Sequence, residues 1–123
     1  MNVRAGLRAA ASLALLASFS TDLSAHVSLY RAVPAVSSVV HASPVEVRLW
    51  FTHTIEAAFS TVKVLDSNGR QVDKRDKQVE PSDPTLLRVS LAPLVPGTYR
   101  VYWRAVSVDT HVTRGQFTFT VRP

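Results

Sequence analysis

The sequence predicts an all-β protein, an immunoglobulin-like Greek-key sandwich or barrel of about seven antiparallel strands with no disulfide. Three observations predict it. Apolar and polar residues alternate with a period of two over several short segments, turn residues punctuate those segments, and no stretch carries the 3.6-residue period of an amphipathic helix. The chain has no cysteine, so packing alone must hold the domain together.

Taken in order, residues 1–25 read as an export signal and not as part of the fold. Arg4 and Arg8 give a cationic start, Ala9 to Phe19 is an apolar run without charge, and Thr21 to Ala25 is a short polar stretch ending in a small residue. The apolar run is shorter than the roughly 20 residues that span a bilayer. Cleavage after Ala25 would leave residues 26–123 as one soluble, periplasmic or secreted domain. It would remove Arg4, Arg8 and Asp22 and lower the formal charge by one from +5.

The clearest alternation runs from Val45 to Thr52, with Val45, Val47, Leu49 and Phe51 on one face and Glu46, Arg48, Trp50 and Thr52 on the other. Phe59 to Leu65 alternates next and stops at Asp66-Ser67-Asn68-Gly69, a turn cluster that predicts a hairpin to Arg70-Gln71-Val72. Asp73 to Pro84 is polar and holds two prolines, which predicts a surface loop with a short edge strand at its start. Thr85 to Leu91, Thr98 to Val106 and Gln116 to Val121 resume the strand pattern, with a turn at Pro93 to Gly97. Trp50 and Trp103 fall on strands and read as packing residues. The basic residues from Arg31 to Arg122 are interleaved with acids and form no block. This pattern argues against a nucleic-acid partner and reads as an aid to solubility.

The residues with chemistry to offer are His26, His41, His53 and His111. The only methionine is Met1, which the signal would carry away, so no sulfur ligand remains. Cleavage after Ala25 would make His26 the first residue, offering an α-amine and an imidazole nitrogen together. Asp109 and His111 stand two apart, so on an extended backbone their side chains share a direction and offer a carboxylate and a second imidazole. Nitrogen and oxygen donors suit Cu(II), whereas Cu(I) favours thiolate and thioether. The bland reading is equally simple: a chance histidine after a signal, and a solvated Asp-x-His loop.

The segments that tip this balance are His26 at the cleavage point, Pro34, Pro44 to Phe51, and above all Pro96 to His111 followed by Gly115 and Phe117-Thr118-Phe119. Over nearly the whole of residues 26–123 the sequence resembles the copper-resistance C family of periplasmic copper-binding proteins. The resemblance implies one Cu(II) held by His26, Asp109 and His111, with no catalysis. It implies a role in copper homeostasis or resistance as carrier or buffer. Partners would be an inner-membrane copper transporter (CopD-like) or other periplasmic copper proteins, with the domain itself a monomer. Some members add a Cu(I) site in a methionine-rich loop, but the counterpart here, Asp73 to Pro84, contains no methionine. Where several relatives place a glutamate after the first long strand, this chain has His53, an additional neighbour for the metal. Two rival functions remain at this stage. One is a metal-free immunoglobulin-like interaction module; the other is a histidine-brace copper monooxygenase, disfavoured by the small size of the domain and by Asp109 at a position oxygen would need.

Overall fold

The computed structural model describes residues 27–123, and its strands form two four-stranded sheets. The strands are β1 (Leu29–Val33), β2 (Val39–Val40), β3 (Glu46–Phe51), β4 (Thr61–Leu65), β5 (Gln78–Glu80), β6 (Asp83–Ser90), β7 (Gly97–Val106) and β8 (Val112–Val121). One sheet has the order β1-β3-β6-β5 and the other β2-β8-β7-β4, so the chain crosses between layers as a Greek key requires. The predicted export signal and His26 lie outside the described residues. Among the described residues no helix is long and apolar enough to cross a membrane.

Alternation builds the core. Val47, Leu49 and Phe51 of β3 and Leu87 and Val89 of β6 face Val62, Val64, Val101, Phe117 and Phe119 from the other sheet. Each such side chain contributes about 1.5–3 kcal/mol by leaving water. Tyr99 stacks on Phe119 at 5.5 Å between ring centroids, and its hydroxyl donates to the Val95 carbonyl at 2.5 Å, which fixes the turn before β7. Both tryptophans pack as expected. Trp103 meets Phe51 edge-on at 5.2 Å, and Trp50 lies under the Arg31 guanidinium at 4.5 Å. Gly115 is the residue facing Trp103, and a Cβ there would come within 2.3 Å of the indole, so only glycine fits.

Three expectations need correction. The pairing is not wholly antiparallel, because the two-residue β2 runs parallel to β8. The edge strand expected at the start of Asp73 to Pro84 sits instead in its middle, where β5 turns back on β6, and Asp83 and Pro84 already belong to β6. That segment also begins with a buried residue. Asp73 accepts the Val64 N–H at 2.9 Å, the Arg75 N–H at 2.9 Å and the Gln71 amide at 3.0 and 3.1 Å. A polar residue that closes a turn in this way carries no hydrophobic signal, which is why its burial is invisible to periodicity.

Candidate metal centre in the β7–β8 turn

Three loops meet at one end of the sandwich. The Ile55 N–H donates to the Pro84 carbonyl at 2.9 Å, joining the β3–β4 loop to the start of β6. Glu56 donates to Val106 at 2.8 Å, and Val108 donates to Thr54 at 3.2 Å, joining the same loop to the end of β7. Ser60 is fully buried beneath them and accepts the Val106 N–H at 3.0 Å. The described chain also starts here. Val27 is fully buried, and Ser28 and Thr52 exchange backbone and hydroxyl hydrogen bonds at 2.9 Å.

The β7–β8 connection, residues 107–111, is a tight turn and not the extended segment expected from the Asp-x-His spacing. The Ser107 N–H donates to the His111 carbonyl at 3.0 Å, and the Thr110 N–H returns to the Ser107 carbonyl at 2.9 Å. Closing the turn puts Thr110 at φ +72°, a left-handed conformation that costs a β-branched residue energy. The outcome for the side chains is nevertheless the one the spacing suggested, reached by turn closure and not by strand alternation. Asp109 Oδ2 lies 3.1 Å from His111 Nδ1.

Ser107, which the spacing analysis passed over, organises the pair. It is buried, its hydroxyl donates to Asp109 Oδ1, and it accepts the His111 N–H at 3.2 Å. The signal for it was present: a hydroxyl two residues before the aspartate and four before the histidine. The Ser107 hydroxyl first, and His111 second, hold the Asp109 carboxyl down at about 2, well below the usual carboxylate range. Asp109 is therefore ionised at any ordinary pH. When Nδ1 of His111 carries the ring proton, it donates to that carboxylate and the lone pair resides on Nε2. This is the arrangement by which carboxylates orient metal-binding imidazoles.

The other candidates are placed less centrally. His53 is in the β3–β4 loop at the same end, with Nδ1 2.8 Å from the Thr52 hydroxyl. Among the described residues no three His, Cys, Asp or Glu side chains gather as a metal cage, so the structure joins Asp109 to His111 and leaves His53 outside the pair. His41 is at the opposite end, where Nδ1 lies 2.8 Å from the Arg122 carbonyl oxygen. His26 is beyond the described residues.

A family model for the CopC domain matches residues 29–122. The chain belongs to the CopC family. It is 36% identical over 99 residues to protein YobA of Escherichia coli K12, with 80% of each chain aligned. Two solved structures agree with the fold. CopC from Methylosinus trichosporium OB3b superposes with a TM-score of 0.74 at 35% identity, covering 80% of this chain and 95% of that one. PcoC, described as a methionine-rich copper resistance protein from Escherichia coli, superposes with a TM-score of 0.66 at 36% identity, covering 80% of this chain and all of that one. CopC-family membership thus joins an observed Asp109–His111 pair on a β-sandwich with no sulfur ligand after Met1.

Proposed function

We propose that this protein binds one Cu(II) ion in the periplasm and acts in copper homeostasis or resistance as a carrier or buffer, without catalysing a reaction. The observation that carries the reading is the Asp109–His111 pair, tied by Ser107 into a rigid turn and half exposed at the end of the sandwich. A metal-binding pair needs that combination: fixed donors and open access. CopC membership supports copper as the metal, and the donor chemistry supports its divalent state, since residues 26–123 offer nitrogen and oxygen but no sulfur.

His26 completes the proposed set. Freed at the N-terminus by removal of residues 1–25, it would chelate through its amine and its ring, while His111 adds an imidazole and Asp109 a carboxylate oxygen. Asp109 has two ways to serve, by ligating through Oδ2 or by holding the His111 ring as it does here. His53 is proposed as an outer neighbour only. The partner for exchange would be a membrane copper transporter or another periplasmic copper protein.

The experiment is native mass spectrometry of the exported protein with and without one equivalent of Cu(II), followed by competition against a Cu(I) chelator. The expected result is a chain beginning at His26 that takes up one Cu(II) and gives up Cu(I) readily. A different N-terminus that still binds Cu(II) tightly would remove His26 from the site. Tight retention of Cu(I) would contradict the oxygen and nitrogen donor set.

A further inference from the structure

The two sheets differ in charge. The sheet β1-β3-β6-β5 carries Arg31, Arg48 and Arg88 together with Glu46, Glu80 and Asp83. Two of its three arginines are neutralised in place: Arg48 bonds Glu46, and Arg88 sits 3.1 Å from Glu80 and 3.7 Å from Glu46, while Arg31 lies over the Trp50 ring. The sheet β2-β8-β7-β4 carries Lys63, Arg100, Arg104 and Arg114 and has no aspartate or glutamate at any strand position.

Strand alternation puts all four of those cations on the outer face, since their neighbours Val62, Val64, Val101, Ala105 and Phe117 fill the core. Their hydrogen bonds are to neutral groups. Arg100 bonds the Gln116 amide oxygen at 3.1 Å, Arg104 bonds the Phe59 carbonyl, and Lys63 lies 5.5 Å from the centre of the Tyr102 ring. Asp66, at the far end of the face, spends Oδ1 on the N–H groups of Asn68 and Arg70 in its own turn. Arg104 and Arg114 are direct cross-strand partners, and like charges in that relation repel.

Between these residues runs a trough of about 640 Å³, with Thr61 and Lys63 of β4 on one side, Arg114 and Gln116 of β8 on the other, and Tyr102 and Arg104 of β7 between them. Three adjacent strands give it a width of roughly 10 Å, which suits one extended chain and does not suit a flat bilayer. Of the two large rings lining the trough, Trp103 packs against Phe51 and Tyr102 lies beneath the Lys63 ammonium, so neither is free to insert among acyl chains. We propose that this trough is the docking surface for an acidic, extended segment of a partner protein, whose carboxylates pair with Lys63, Arg104 and Arg114. Two further ladder pairs, Ala105–Thr113 and Val106–Val112, separate the Arg104–Arg114 pair from the turn that holds Asp109 and His111. A partner seated there would therefore stand beside that turn.

The test uses copper-free exported protein, so that its outcome is separate from the copper reading. Binding of a synthetic peptide of alternating glutamate and glycine is measured by fluorescence anisotropy, against phosphatidylglycerol vesicles as the lipid arm. The Lys63→Glu/Arg114→Glu variant removes two cations that make no hydrogen bond to the fold; Arg31→Glu/Lys74→Glu makes the same change in net charge off the trough. The expected result is peptide binding that weakens at least about tenfold in the first variant, changes little in the second, and fades as salt rises from about 20 to about 300 mM. Circular dichroism and Cu(II) affinity should be unchanged in both. Equal weakening in the two variants would show that net charge and not the trough binds the peptide, and would overturn the proposal. Vesicle binding without peptide binding, or no binding of either at low salt, would overturn it too.

Discussion

Asp73 and Asp109 both close turns with their carboxylates, at opposite ends of the same sandwich, and they have been put to different uses. Asp73 is 7% exposed, and both of its oxygens are consumed by Val64, Gln71 and Arg75. Asp109 has a side chain 52% exposed, and its partners are the Ser107 hydroxyl and the His111 ring, itself 36% exposed. The first carboxylate is bonded to backbone, and its removal would leave buried donors without acceptors. The second is itself half exposed, is bonded to the buried Ser107 hydroxyl and the His111 ring, and keeps capacity for a metal. The lesson is that hydrogen-bond count does not separate a structural aspartate from a functional one; the exposure of the carboxylate and the identity of its partners do.

The contrast breaks most sharply under substitution. Asp73→Ala should cost about 3 kcal/mol, because it orphans the buried Val64 N–H and removes bonds to an ionised group. In urea titrations its midpoint should fall well below that of the parent protein, while Cu(II) affinity of the folded protein stays the same. His111→Ala should do the reverse, with near-parental unfolding and a loss of Cu(II) affinity of about a hundredfold or more, since an imidazole is taken from the metal.

Asp109→Ala is the next effect in size, a loss of about 10- to 100-fold in Cu(II) affinity by competition titration, with the unfolding transition little changed. Ser107→Ala sharpens the comparison further. It frees the Asp109 carboxylate and the His111 N–H without removing a proposed ligand, so affinity should fall less than in Asp109→Ala. The carboxyl pKa, read by NMR, should rise from about 2 toward the ordinary range near 3.9. The sign for stability follows from that depression. Whatever Asp109 contributes is present in full above the ordinary carboxylate range and is lost as the pH falls toward 2. Asp109→Asn should therefore flatten the stability profile only below about pH 4. The smallest effect expected is from Thr110→Gly, which relieves the φ of +72° and should leave stability level or raise it by less than about 1 kcal/mol.

Much of this was legible in the sequence, for reasons particular elements make plain. β3, β7 and β8 are long and half buried, so period-two alternation marks them strongly. β2 and β5 span two and three residues, too short for any period to register. The Asp109–His111 pair was found through spacing, yet by the wrong geometry, because the sequence does not announce that Thr110 will adopt a left-handed turn. The charge division between sheets was hidden altogether. Lys63 and Arg114 lie far apart in the chain among acids that fold onto other surfaces, so linear interleaving reads as even dispersal where the topology collects one sign.

The central claim is that a free N-terminal His26 joins the Asp109–His111 turn around one Cu(II). The most direct measurement compares Cu(II) affinity and the electron paramagnetic resonance spectrum of the protein beginning at His26 with the same protein bearing one methionine before it. An added residue converts the amine to an amide and destroys the chelate, while Val27 and the core remain as they are. The account predicts an affinity loss of about a hundredfold or more and a changed spectrum, with circular dichroism and unfolding unaltered. Parental affinity and an identical spectrum in the extended protein would contradict it.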